Sequence, residues 1–492
     1  MKKIYYCLFC GLLCLTTFIT YAQHGTTSEI SWDIKDGTLT VSGVGAMPDF
    51  PSDKRPWDAH RDSIFAVVIE YGVTSIGDWA FSNNNKLTSI TIPYSVTSIG
   101  DCAFIHCSSL ASVTIPESVN SIGYMAFMGC NIKTINIPCS VISIGNSAFY
   151  SVSYSSNTVL TSIQVDDNNS AYSSENGVLF DKAKTLLIQY PPGKTDKHYT
   201  IPNSVISILG GAFAGCSGLT SITIPNSVTT IGDMTFFACK ELVSVSIGNS
   251  VTTIGGNAFS YCNSLVSITI PNSVTSIENY AFFHCSNLTS INIGNSVLSI
   301  GYRAFDGCSS LVSIIIPNSV TTIGDMAFMG CHSLTSVTIP NSVTYLGGWA
   351  FRECQGLESI HVDEDNITYS SENGVLFNKA KTILLQYPMA RPDTNYIIPN
   401  SVEYIDWGAF YSCNITSLTI PSSVIDFGNG VFHGCSSLKE IINHAPRPRF
   451  SADQFNSVDK SQCILRVPAE AIEIYRNAET WRDFAKIEAI IW

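Results

Sequence analysis

Charge is what this sequence has least of: only 13% of its 492 residues are Asp, Glu, Lys or Arg, against about 25% in ordinary soluble domains. The 26 basic residues form no run and are outnumbered by 39 acidic ones, for a net charge of −13. Nucleic-acid binding relies on Lys and Arg to neutralise phosphates, so that class is set aside. The sequence also has no His-Glu-x-x-His, no His-x-x-x-His pair, no Gly-x-Ser-x-Gly elbow and no Gly-rich phosphate loop, so neither catalysis nor a cofactor is expected. Beyond Ala22 there is no Cys-x-x-Cys pair, which argues against a tetrahedral metal cage. Nor does any later segment stay uniformly apolar for long enough to cross a bilayer, so the mature chain should not span a membrane.

The start of the chain reads as an export signal. Lys2 and Lys3 precede an apolar stretch from Ile4 to Ile19, and Thr20-Tyr21-Ala22 offers small residues for cleavage after Ala22. Residues 1–22 are therefore expected to be a signal peptide, and the protein to be exported to the periplasm, the cell surface or the medium. An uncleaved anchor is the alternative, because the run is almost long enough to cross a bilayer. A lipid anchor fits less well, since bulky Tyr6, Phe9 and Leu13 precede Cys7, Cys10 and Cys14.

A repeat dominates what remains. Ala-Phe or a close variant recurs at Phe81, Phe104, Phe127, Phe149, Phe213, Phe236, Phe259, Phe282, Phe305, Phe328, Phe351, Phe410 and Phe432, at a near-constant interval broken by two longer gaps, after Phe149 and after Phe351. A period in the low twenties, with a Leu-x-x-Ile-x-Ile core, fits a leucine-rich-repeat solenoid in which each unit is one turn. In the unit Leu87 to Ser109, the spacing of Leu87, Ile90 and Ile92 predicts a short strand with its aliphatic side chains inward and Thr88, Ser89 and Thr91 outward. Pro93 cannot donate to a neighbouring coil and should end the ladder. Val96 and Ile99 return to the core, and Ala103-Phe104 should lie in a short helical or irregular stretch opposite the strand. About 13 such coils, stacked about 4.8 Å apart, are expected.

Cysteine keeps the same register: Cys107, Cys130, Cys216, Cys239, Cys262, Cys285, Cys308, Cys331, Cys354, Cys413 and Cys435 each follow the repeat Phe by three positions. In an exported chain this suggests disulfides. One Cys per turn gives a ladder rather than a metal cage, so the expected role is a small buried hydrophobe. Cys102, Cys139 and Cys463 fall outside the ladder and are not paired by the sequence.

The unit Ile-Pro-Asn-Ser-Val-Thr-x-Ile-Gly-x-x-Ala-Phe-x-x-Cys-x-x-Leu, as in Ile270 to Leu288 with Glu278 in place of Gly, resembles the repeat of the BspA-like bacterial surface leucine-rich-repeat family. The opening segment Trp32 to Gly43, with Met47-Pro48-Asp49-Phe50 and Pro56-Trp57, is similar to the N-terminal β cap common in that family. The resemblance implies a right-handed β-solenoid or horseshoe of short parallel strands, with a β-rich first cap and a small α/β last cap. It also implies an exported or cell-surface protein, since members with an assigned role are adhesins for host extracellular proteins or other bacteria. The expected partner is an extracellular protein or glycan; the alternative is a spacer in an envelope assembly with no ligand of its own.

The expected organisation is a cap at 23–63, a solenoid over 64–440 and a second cap at 441–492. Two insertions, at about 166–200 and 363–397, share Tyr-Ser-Ser-Glu-Asn-Gly-Val-Leu-Phe and read as protruding β-hairpins, Val178-Leu179-Phe180 with Leu186-Leu187-Ile188 and Val375-Leu376-Phe377 with Ile383-Leu384-Leu385. Asp166-Asp167-Asn168-Asn169 and Asp363-Glu364-Asp365-Asn366 before them offer oxygen ligands for calcium, although a solvated turn suits the same letters. His361 has no visible nucleophile partner. In the last cap, Cys463 to Pro468 reads as a strand and Ala469 to Phe484 as a helix, with Trp481 and Phe484 packed on the last coils.

The strand face is hydroxyl-rich, as at Thr220, Ser221, Thr289 and Thr338. Around Ala-Phe the unit instead admits Trp79, Tyr124, Tyr261, Tyr280, Tyr302, Trp349, Arg352, Trp407 and Tyr411. Aromatics with Arg dominate binding hot spots, so these nine form the candidate binding surface.

Overall fold

The computed structural model describes residues 24–27, 29–52, 54–150, 159–449, 455 and 457–491; the expected signal peptide lies outside them. The chain winds into a β-solenoid of about 18 turns with short parallel strands and few helices. Most regular coils contribute to two parallel ladders. One joins strands such as Ser267–Thr269 and Ser290–Asn292, in which Ile268 pairs with Ile291. The other joins two-residue strands such as Ser276–Ile277 and Ser299–Ile300. This constant register keeps each side chain above its equivalent, so Leu265, Val274, Ile277, Ala281 and Phe282 are all fully or almost fully buried.

The third side of the coil, around Ala-Phe, has no strand. Here alternate N–H groups serve alternate purposes: Phe282 N donates to Ala304 O of the next coil at 2.8 Å, while Ala281 N and Phe283 N bond back within their own coil. The pattern places the residues two before and two after the Phe in the left-handed region, as at Tyr280 (φ 59) and His284 (φ 55). Gly307, which follows Phe305 by two positions, takes this conformation at φ 74 without a Cβ penalty. The phenylalanines stack face to face along the axis, 5.2 Å apart between Phe282 and Phe305. Burying each contributes about 1.5–3 kcal/mol.

The aromatic column is longer than the Ala-Phe pattern indicated. Trp57 stacks on Phe81, Tyr190 on Phe213, Tyr387 on Phe410 and Phe455 on Phe432. Tyr190 and Tyr387 each stand one repeat period before the next column Phe. The insertions therefore do not simply protrude. In the first, Tyr172–Glu175, Val178–Asp181 and Leu186–Gln189 form an antiparallel meander, whose last strand then pairs in parallel with Ser207–Ile208. The second repeats this with Tyr369–Glu372, Val375–Asn378, Ile383–Gln386 and Tyr404–Ile405. The first turn of each meander is Asn-Gly with positive φ at both residues, Asn176-Gly177 and Asn373-Gly374, the backbone that suits a two-residue hairpin.

At the start of the described chain, His24–Thr27, Ile30–Lys35 and Thr38–Gly43 form an antiparallel meander that pairs in parallel with Ala66–Ile69. At the other end, Glu440–Asn443, Ile464–Val467 and Lys486–Ala489 extend the parallel sheet. Arg466 bridges the outer two, to Glu440 at 2.8 Å and Glu488 at 3.0 Å. The helix expected over Ala469 to Phe484 is much shorter: a 3-10 turn at Ala469–Ala471 leads into an α-helix at Ile472–Asn477. The chain must turn back to supply Lys486–Ala489, so Ala478 is extended and Thr480 has φ 71. Trp481 and Phe484 still bury against Phe455.

Candidate functional site

The cysteine ladder is structural in its geometry. Each thiol lies against the carbonyl of the column aromatic one coil back, as Cys285 Sγ does to Phe259 O at 3.0 Å and Cys308 Sγ to Phe282 O at 3.2 Å. All fourteen described cysteines are free thiols. Burial pushes the Cys285 and Cys354 thiols up to about 12, which removes the thiolate that nucleophilic chemistry needs.

The acidic turns also serve the fold. Asn169 and Asn366 are fully buried, and each side chain closes four hydrogen bonds. Asn366 Nδ2 donates to Pro340 O and Val343 O, while its Oδ1 accepts from Thr368 N and Tyr369 N; Asn169 does the same in the first insertion. Among the described residues, no group of three or more His, Cys, Asp or Glu is placed to hold a metal ion. His361 does have a hydroxyl neighbour, contrary to the expectation from sequence: Ser359 Oγ lies 3.0 Å from its Nε2 on the exposed strand face. The two alternate along one strand and so share a face. Among the described residues, no carboxylate bonds the ring to complete a triad.

Some hydroxyls of the strand face serve the solenoid itself. Thr220 and Thr289, for example, donate to the main chain one coil earlier, at Lys197 O and Val266 O. The candidates on the Ala-Phe side are divided by the structure into three places. Trp79 and Tyr124 lie apart from the rest, in the early coils. Tyr261 and Tyr280 belong to an edge-to-face chain through Phe283 that ends on Tyr302.

The remaining five, counting Tyr302, line one groove of about 630 Å³ beside the second insertion. Trp349 and Arg352 come from the coil before the insertion, and Trp407 and Tyr411 from the coil after it. Arg352 is clamped between rings, its guanidinium carbon 4.7 Å from the centre of Trp349 and 4.1 Å from that of Tyr411. Trp349 Nε1 donates to Trp407 O at 3.2 Å across the insertion. Trp349 and Trp407 remain 37% and 51% exposed, leaving ring surface open to a ligand. Asp325, Glu353, Gln386 and Asp406 supply polar groups to the walls. Burial raises the Asp406 carboxyl above the usual carboxylate range, partly offset by the hydrogen bond from Trp407 N. Sequence reasoning missed Asp325, Gln386 and Asp406; Asp406 sits immediately before a candidate Trp, but nothing in the sequence placed Gln386 across from it.

The model of the BspA type leucine rich repeat region matches residues 61–174, 195–312, 299–386 and 393–478. This chain belongs to the BspA-type leucine-rich-repeat family. A solved leucine-rich repeat protein from Eubacterium ventriosum is 32% identical over 66% of this chain and 93% of its own, with a TM-score of 0.60. Another from Bacteroides ovatus is 24% identical over 95% and 100%, TM-score 0.43. A leucine rich cell surface protein from Faecalibacterium prausnitzii is 25% identical over 69% and 94%, TM-score 0.37. No curated protein matches the chain. Leucine-rich-repeat proteins bind protein ligands in general, and the BspA-type solenoid is generally non-enzymatic. No helix among the described residues is long and apolar enough to cross a membrane.

Proposed function

We propose that this BspA-type protein is exported after removal of residues 1–22 and acts without catalysis, recognising an extracellular protein or glycan in adhesion to host matrix or to other cells. In this reading residues 23–63 and 441–492 cap a recognition solenoid spanning 64–440. The observation that carries it is the groove at the second insertion, where two part-exposed tryptophans flank an Arg already held in place by cation–π contacts. Rigid aromatics with Arg lose little conformational entropy on binding and give large contact area. Treating intact cells with protease, then probing with antibody against the mature chain, tests the location: digestion is expected, and resistance until lysis would overturn adhesion. Saturable binding of the mature protein to immobilised matrix proteins or polysaccharides tests the recognition. A spacer would be retained in its assembly yet bind none of them.

A further inference from the structure

Resting on that recognition reading, we infer that the groove between Trp349 and Trp407 is a binding site for a neutral oligosaccharide. Its volume of about 630 Å³ falls among small-ligand clefts, which span about 300–1,000 Å³. A globular protein partner instead wants a broad surface burying about 800 Å² on each side. The occupant is a small molecule or the end of a chain, and the wall chemistry narrows its class.

Three carboxylates, Asp325, Glu353 and Asp406, line the groove with one cation, Arg352. A ligand bearing its own carboxylates or phosphates would meet repulsion from the three acids. A cationic ligand would have to share the same aromatic rings with Arg352, whose guanidinium already stacks on Trp349 and Tyr411. Arg352 Nε makes no hydrogen bond although it is buried, and its nearest carboxylate oxygen, on Glu353, is 3.7 Å away. A guanidinium carries five donors, and one ion pair at 3.7 Å leaves its terminal nitrogens to a ligand that brings an acceptor. The acids, conversely, favour a ligand that brings donors. Hydroxyl groups are both, and a sugar ring adds an apolar face that lies against an exposed indole. A neutral polyol ring thus satisfies every wall, whereas a net charge of either sign satisfies only some.

The test uses the mature full-length protein with maltoheptaose, cellohexaose, mannohexaose and galactose-terminated oligosaccharides as probes, followed by tryptophan fluorescence and calorimetry. Sialylated and uronate-containing oligosaccharides and Pro-rich or Lys-rich peptides form the comparison arms. Saturable binding of at least one neutral oligosaccharide is expected, weakened at least tenfold in Trp407→Ala and Trp349→Ala. Tyr71→Ala, which removes an 83% exposed ring in the early coils outside the groove, is expected to bind as the parent does. Trp407 is the cleaner variant, because its main-chain carbonyl still accepts from Trp349; unaltered thermal unfolding confirms the fold. Binding of none of the neutral probes, preference for the charged sugars or peptides, or neutral-sugar binding indifferent to both tryptophans would overturn the inference. Binding to an immobilised matrix protein with no sugar bound would leave the recognition reading standing and remove this one alone.

Discussion

The two insertions begin with the same nine letters and fold into the same antiparallel meander, with the same buried Asn and the same column Tyr, yet their flanking coils differ. Around the second stand Trp349, Arg352, Trp407 and Tyr411; at the corresponding positions around the first stand Ser147, Tyr150, Gly210 and Ala214. Each insertion interrupts the regular repeat, so both create a discontinuity between coils. These four side chains, with Asp325 and Asp406 where the first insertion has Tyr124 and Leu209, give the second insertion its groove and its Arg clamp. Scaffold and specificity are thus carried by different residues: the meander opens the gap and the flanking positions furnish it.

The likeness between the insertions can be broken in several ways. Tyr190→Ala and Tyr387→Ala should cost the most, about 3–5 kcal/mol each as buried aromatic truncations, read by urea unfolding; unequal costs would show that the two insertions bear different shares of the fold. Asn169→Ala and Asn366→Ala remove four bonds apiece from fully buried sites and should each cost about 2–4 kcal/mol, with hydrogen exchange rising first in the adjacent meander. Losing the cation–π contact in Trp349→Ala should cost about 1 kcal/mol, visible as greater mobility of Arg352 by NMR, while the equivalent Ser147→Ala changes stability by less than about 0.5 kcal/mol.

The smallest effect concerns Cys139, the one exposed thiol among the described residues. Glu117 accepts its hydrogen bond and raises the thiol above its ordinary value. A raised value means less thiolate at mildly alkaline pH, so Glu117→Gln should speed alkylation of Cys139 a few-fold, while the buried ladder stays unreactive until unfolding.

Much of this architecture was legible because stacking demands a constant register: a Phe recurring at so regular an interval can only be a column. The Ala-Phe signature does not extend to Trp57, Tyr190, Tyr387 and Phe455, which do the same packing with other letters around them. Asn176-Gly177 and Asn373-Gly374 carry the signal for an extra hairpin turn, one that lies before the hairpins read over Val178 to Ile188 and Val375 to Leu385. The helix over Ala469 to Phe484 failed because local pattern cannot reveal that a terminal strand must be supplied by the same segment. The nine candidate side chains were visible one by one, but their division was not: Trp349 and Trp407 meet only because an insertion folds out from between their coils, a non-local fact that periodicity does not contain.

The hydrogen bonds between regular coils join equivalent atoms, Phe N–H to the Ala carbonyl of the next turn throughout Phe259, Phe282 and Phe305. Any one of these turns could consequently be excised or copied and the cut ends would rejoin in register. The number of turns between the two insertions acts as a ruler: adding one further copy of the unit would carry the groove about 4.8 Å further from the first cap and leave its chemistry untouched, so reach and specificity can evolve independently.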